Sequence, residues 1–302
     1  MSRGSVLPLL LALGLAPLLL GVITRTKAVI AGRAGPALLQ PYHDLRKLMA
    51  KGAVYSRTTS WVFRAGPVIG LAAIIIAAAL VPLGGPALVS FPGDLLLFVY
   101  LLALARFSTV IAALDTGSSF EGMGASREVA FSTLAEPALL LGLAAIARET
   151  GSLSLSTMLP HVTVGVWAHA APPLALVAIA LLVVFLAENG RIPVDDPATH
   201  LELTMIHEVM VLDHGGPDLA FILYGAALKL WLFGALVMGL ALPVHSGHLW
   251  LDAGAAALGM LLLAVLTGLV ESSMARLRLL AVPRLLVGAG VLSVLALLLV
   301  LR

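Results

Sequence analysis

The chain has 302 residues, of which 60% are hydrophobic and 11% charged, against roughly 45–50% and 25% in water-soluble domains. That composition excludes a water-soluble fold. It has no cysteine, which excludes disulfides, thiolate catalysis, cysteine-ligated iron–sulfur clusters and cysteine-type zinc sites within the chain, so any redox centre it serves belongs to a partner. The net charge of +2 does not point to nucleic acid, because the basic residues are sorted by membrane topology.

A helix needs roughly 20 apolar residues to cross the hydrocarbon core. Runs of that kind fall at about 5–23, 66–82, 95–114, 130–147, 172–187, 219–240, 252–270 and 284–301. The short run at 172–187 extends back through Trp167 and Ala168. The expected fold class is therefore all-α: a polytopic membrane protein of about eight transmembrane helices forming a single domain over 1–302. The first run resembles a signal peptide in length, but no small-residue cleavage site closes it, and Arg25 and Lys27 follow it as an anchor requires.

Lysine and arginine counts set the orientation. The first, third, fifth and seventh connecting segments with their flanks hold Arg25, Lys27, Arg33, Arg46, Lys47, Lys51, Arg57, Arg64, Arg127, Arg191, Arg276, Arg278 and Arg284; the other three hold only Arg148. Positive segments stay cytoplasmic. Both termini are thus expected outside, with cytoplasmic segments at about 24–65, 115–129, 188–218 and 271–283.

The first of these segments places Leu38, Tyr42, Leu45, Leu48 and Met49 at helical spacing between Asp44, Arg46, Lys47 and Lys51, the pattern of an amphipathic helix lying in the interface. The stretch from Asp115 to Glu128 is rich in glycine and hydroxyl residues and reads as a flexible loop able to fit closely against another surface. The third candidate, 188–218, holds ten acidic or histidine residues, Glu188 included. Within it, Glu188, Arg191 and Asp195 are close enough to pair, prolines interrupt any helix between them, and good helix formers run from Ala198 to Leu212.

Three ionisable residues fall inside apolar runs: Arg106, Glu136 and Lys229. A charge left in hydrocarbon costs several kcal/mol, so such groups face a polar cavity or a partner unless they snorkel. Glu136 precedes Pro137, where the helical ladder is weakened, and is read as part of a buried hydrated path. No metal site is expected. His200 and His207 lie two turns apart, and the pair His245 and His248 lacks an evident third ligand. No phosphate-binding or dinucleotide fingerprint and no internal repeat of the transporter type is present.

Two stretches carry a resemblance: Arg33-Ala34-Gly35-Pro36 through Leu38-Leu39-Gln40-Pro41 with Asp44, Lys47 and Leu48, and Ala187-Glu188 through Arg191, Pro193 and Asp195 to Glu202-Leu203. With them the whole chain resembles the complex I subunit 1 family, and within it the branch of membrane-bound hydrogenase, formate hydrogenlyase and hydrogenase-4-type complexes. The resemblance implies a core membrane subunit in a prokaryotic plasma membrane, without catalysis of its own. Such a subunit anchors a soluble redox module and couples it to proton or sodium translocation.

The implied partners are hydrogenase-like small and large subunits, which would carry the iron–sulfur clusters and a nickel–iron centre, and antiporter-like membrane subunits. Glu136, Glu188, Asp195, Glu202, Lys229 and Arg106 are the expected ion-path or coupling residues. Arg33, Asp44, Lys47, Arg127, Arg191, His207 and Glu208 are expected on the docking surface. The run from Asp196 to Glu202 has fewer glutamates than quinone-reducing relatives carry, which disfavours a quinone-reducing subunit. A stand-alone proton-coupled transporter is the alternative from another class. A prenyltransferase holding magnesium pyrophosphate on Asp195 and Asp196 lacks the second acidic loop that the metal needs.

Overall fold

The computed structural model describes residues 5–195, 205–242 and 246–302. Its helices run, in chain order, α1 (Leu7–Ile30), α2 (Gln40–Met49), α3 (Trp61–Leu80), α4 (Asp94–Asp115), α5 (Ser119–Thr150), α6 (Leu155–His161), α7 (Val164–Glu188), α8 (Gly216–Ala241), α9 (Leu249–Ser273) and α10 (Val282–Leu301). Among the described residues, eight helices are long and apolar enough to cross a membrane: all of these except α2 and α6. The protein is a multi-pass all-α membrane protein, as composition and periodicity require.

Because the spans alternate in direction, the end of α1, the starts of α3, α5, α8 and α10, and the ends of α4, α7 and α9 share one end of the bundle. Ser60 shows this locally. It caps α3 by accepting from Val62 N at 3.2 Å, and its own N and Oγ donate to the Asp115 carboxylate closing α4, at 2.6 and 2.8 Å. We call this the charged end.

α8 is the most buried span; it packs against α1, α3, α7 and α9 and meets α2 at its flank. Its all-round apolar surface, with Leu228, Trp231, Leu232 and Phe233 almost wholly enclosed, is what a central helix needs. Polar groups tie it to its neighbours. Tyr224 donates to Leu13 O at 2.8 Å, and Trp167 Nε1 donates to Leu240 O at 3.0 Å. Ser293 of α10 likewise donates to Ala138 O of α5 at 2.8 Å. Such bonds stand in for the hydrophobic drive that lipid cannot supply between helices.

Four boundaries differ from the sequence reading. α5 begins at Ser119, so most of the stretch read as a flexible loop is helix and only a short turn joins α4 to α5. The glycine that argued for a loop has another use: a Cβ on Gly124 would meet Ile206 O and Met210 Cγ at 3.0 Å and would overlap Val209. α7 starts at Val164, with a kink at Ala170 just before Pro172 and Pro173. The interfacial helix spans Gln40–Met49, with Leu38 outside it and Tyr42 bonded to Gly14 O of α1.

The fourth difference is the helix read from Ala198 to Leu212. Its first part lies outside the described residues, and in the rest only Glu208–Val211 is helical, as a short 3-10 segment. Met205, Ile206, Val209 and Met210 are all buried. Burying these side chains against Gly124 and its neighbours outweighs helix propensity, which is a weak force.

Candidate functional site

The ionisable residues of the apolar runs come together at the charged end. Arg106 of α4 is the hub. Its Nη2 donates to both oxygens of Glu188 at 2.6 Å, its Nε donates to Glu128 at 3.2 Å, and its Nη1 pairs with Glu136. α5 supplies Glu128 and Glu136 from one face, eight residues apart, so they reach the guanidinium from either side. Lys229 of α8 also pairs with Glu188, with Nζ 2.8 Å from Oε2. Glu188 is the last residue of α7, where the glycine and prolines that follow stop the helix and leave its side chain aimed inward.

The chain of contacts continues beyond Glu128. His207 Nε2 lies 3.2 Å from Glu128 Oε2, and His207 Nδ1 lies 3.7 Å from Asp195 Oδ2. Asp195 also accepts from the backbone N–H of Ile206 and of His207, at 3.1 and 3.4 Å, and pairs with Arg276 at 2.9 Å. Arg276, from the linker between α9 and α10, thus closes the outer end of the network.

In this group four carboxylates (Glu128, Glu136, Glu188, Asp195) face three permanent cations (Arg106, Lys229, Arg276). His207 is the member whose proton decides the balance. Burial disfavours its charged form, but Glu128 and Asp195 outweigh both burial and Lys229, so its pKa is raised above the usual histidine value. Its proton completes a four-to-four balance. Water has little room here: the cavity bounded by Glu128, Glu188, His207 and Ile206 is about the size of one water molecule.

Buried ion groups of this kind are poor stabilisers compared with apolar packing, and breaking them is costly, because each lost partner strands a charge. Glu188, Glu128 and Arg106 have side chains less than a tenth exposed, whereas Glu136 is 37% exposed. The network therefore runs from an open member at Glu136 through a sealed centre to the loops.

A second, smaller group joins three segments. Glu271 of α9, its side chain fully buried, meets Lys27 at 2.7 Å and Arg191 at 3.4 Å. It ties the end of α1 to the segment after α7. Glu188, Arg191 and Asp195, read from the sequence as a local cluster, are thus distributed: Glu188 to the hub, Arg191 to Glu271 and Asp195 to Arg276 and His207.

Of the residues read as a docking surface, Arg33, Asp44 and Lys47 are exposed, and Asp44 accepts from Gln40 Nε2 at 2.8 Å. Arg127 donates to Met205 O at 2.8 Å, half-buried. Arg191 and His207 lie inward, in the two ionic groups, and Glu208 is half-buried in the 3-10 segment. Glu202, with Asp196, His200 and His245, lies outside the described residues.

Sequence reasoning singled out neither Glu128, Arg276 nor Glu271 as site residues. The spacing of Glu121, Glu128 and Glu136 at seven and eight residues was a usable signal, since it places all three on one face of a helix, but it is invisible while 115–129 is taken as a loop. Among the described residues no three His, Asp or Glu side chains could hold a metal ion.

Comparison with known proteins fits this architecture. The sequence profile of the family "NADH dehydrogenase" matches residues 4–301. The chain is 34% identical over 291 residues to formate hydrogenlyase subunit 4 of Escherichia coli, covering 92% of each, and 31% identical over 282 residues to hydrogenase-4 component C of the same organism, covering 89% of this chain and 86% of that one. In fold, the chain matches part of the membrane-bound sulfane sulfur reductase, an archaeal respiratory membrane complex, with a TM-score of 0.83 at 19% identity, covering 97% of this chain and 96% of that one. On these grounds the chain belongs to the NADH dehydrogenase subunit 1 family.

Proposed function

We propose that this chain is the core membrane subunit of a complex I-related hydrogenase or formate hydrogenlyase-type assembly. It anchors a soluble redox module and couples that module's turnover to proton or sodium movement. One observation carries the reading: a near-neutral ionic chain, Lys229–Glu188–Arg106–Glu128–His207–Asp195–Arg276, joins the middle of the bundle to the loops that would meet a partner.

In such a chain a charge arriving at the loop end changes which partner each carboxylate favours, and the low dielectric carries that change inward with little screening. Arg106 holds three carboxylates at once. A proton added to or taken from one of them therefore alters its grip on the other two. Glu136, the most open member, is where an ion can enter or leave, and Glu202 is assigned to the same path. Electron carriers belong to partners: hydrogenase-like small and large subunits would hold the iron–sulfur clusters and nickel–iron centre, and antiporter-like subunits would carry the ion path onward.

The positive charges of the charged end support a cytoplasmic location for it in a prokaryotic cell, with both termini outside. There the exposed Arg33, Asp44 and Lys47 lie where a soluble module would dock. The alternative, a stand-alone transporter, predicts a chain that purifies alone and moves a solute in liposomes. Affinity purification of the tagged chain from its native membrane tests the choice. The proposal expects iron–sulfur proteins to co-purify and hydrogen turnover to follow them. A solitary chain that moves solute would overturn it.

A further inference from the structure

Beside the network lies a third group of buried ionisable side chains that the proposed coupling does not use. Glu121, in the first turn of α5, is fully enclosed, and His214 and Asp218 are 5% and 8% exposed. Glu121 Oε1 accepts from the backbone N–H of Asp213 at 3.0 Å. The ring of His214 stacks on Phe63 of α3, with centroids 3.9 Å apart. Both ring nitrogens of His214, Glu121 Oε2 and Asp218 Oδ2 have no hydrogen-bond partner among the described residues. Unpaired polar atoms on three neighbouring buried side chains call for protons or water, since such groups in native proteins are otherwise satisfied.

The group sits against the surface of the charged end. Gly216, with φ +56°, lies under the first connecting segment so closely that a Cβ would meet Gly52 O at 2.7 Å and Ala53 N at 3.1 Å. From the same segment Tyr55 packs edge-on against Phe63 and carries Arg64 over its ring at 4.2 Å. Burial and the neighbouring Asp218 push the Tyr55 hydroxyl pKa up. Asp213 is exposed, so the group runs from solvent at Asp213 to a sealed interior at Glu121.

Its relation to the ionic network is a repeat. Glu121 and Glu128 are seven residues apart on one face of α5, about 10 Å along the axis, and His207 and His214 are seven apart in the segment that crosses it. Glu128 meets His207, and Glu121 meets the residue before His214. The two segments therefore meet twice, at an inner acid–imidazole pair and at an outer contact between Glu121 and the backbone beside His214.

We propose that Glu121, His214 and Asp218 form a proton-uptake site at the charged end that loads the inner Glu128–His207 pair. A proton from bulk water binds a ring nitrogen of His214 and is handed through an intervening water to Glu121 Oε2; its onward transfer to Glu128 and His207 requires the packing of Val209 and Met210 on Gly124 to open and admit water. Each step makes one O–H or N–H bond and breaks one, with no electron transferred. Of the two histidines the inner one holds a proton more tightly: burial lowers the pKa of His214 despite Asp218 and Asp213 nearby, while Glu128 and Asp195 raise that of His207. The groups facing His214 are Phe63 and, beyond it, Tyr55 with Arg64, together with Asp213 and Asp218. The cation among them, Arg64, lies over the Tyr55 ring and not against His214.

This inference rests on the proposed coupling, and the test separates the two. The assembled complex in proteoliposomes is compared as wild type, Glu121→Gln, His214→Asn and Glu188→Gln, measuring redox turnover and proton uptake between about pH 6 and 8, where histidine titrates. Loss of a proton-collecting group leaves delivery limited by bulk proton concentration. E121Q and H214N are therefore expected to slow turnover and uptake together by roughly tenfold or more near neutrality, with the rate recovering on acidification. Glu121→Asp, which keeps the acid on a shorter arm, replaces E121Q should that variant not assemble. Variants within twofold of wild type, or a loss that does not recover at low pH, overturn the uptake site. If E188Q alone loses uptake, the coupling reading survives without it; if E188Q is also unaffected, the coupling reading fails. Uptake that follows sodium and ignores pH overturns the proton assignment.

Discussion

Asp94 and Glu188 are both buried carboxylates in the same bundle, at opposite ends, and their surroundings differ in kind. Asp94, at the start of α4, accepts from Leu155 N at 2.7 Å, Ser154 Oγ at 2.6 Å and Phe91 N at 3.3 Å. Every partner is neutral, and the N-terminus of α4 adds its dipole. Glu188 has Arg106 and Lys229, each held in turn by others or by the apolar wall. The first arrangement fixes α6 onto α4 and has nothing left to exchange. In the second, each group's protonation changes its neighbours' energy. Burial of charge alone is therefore no sign of function in this chain; the connection of ionisable groups to one another is the feature on which the proposed coupling rests.

The largest expected effect lies at the hub. Arg106→Gln leaves Glu128, Glu136 and Glu188 without their shared cation and should destabilise the subunit by about 3–5 kcal/mol, read as lost assembly or a lower melting temperature of the purified complex. A melting temperature equal to wild type would break the contrast between the two ends. Next, Asp94→Asn replaces one of the two accepting oxygens with an NH2 donor, so at least one of the three neutral donors loses its acceptor, and should cost about 1–3 kcal/mol, while ions moved per turnover stay constant. A changed ratio in D94N would mean that the distal end takes part in coupling.

A third effect is pH-dependent. The folded-state pKa of His207 lies above its unfolded value, so its contribution to stability is fully present below the unfolded pKa of about 6.5 and is lost as pH rises through the raised folded value. Thermal stability should fall with rising pH in that window, and His207→Gln should flatten the slope. A slope unchanged in H207Q would remove His207 from the network. Smallest is Lys47→Glu on the exposed interfacial helix. It should weaken capture of the soluble module by about 1 kcal/mol or less, an effect that added salt erases.

The spans were legible from length and hydropathy alone, and so was the choice of Arg106, Glu136 and Lys229, because a charge within twenty apolar residues needs a partner whatever the fold. Which partner was not legible. Glu188 ends α7 and Lys229 lies in α8, forty-one positions on, and only packing of α8 at the centre brings them to 2.8 Å. Glu128 was hidden by a wrong assignment: glycines at 117, 122 and 124 read as flexibility, whereas Gly124 serves close approach of the 205–210 segment. Glu271 had no sequence signal beyond its position at the end of an apolar run, and its two cations come from segments more than 150 positions apart. Local chemistry thus shows in the sequence, and pairing across helices does not.

The central claim, that the ionic chain couples redox turnover to ion movement, is tested most directly by ions translocated per turnover in proteoliposomes of the complex carrying Glu188→Gln. E188Q keeps the size of the side chain while removing the charge that Arg106 and Lys229 share. The account predicts that turnover persists at some rate while the ratio falls well below that of wild type. A ratio equal to wild type, with the complex intact, would contradict it.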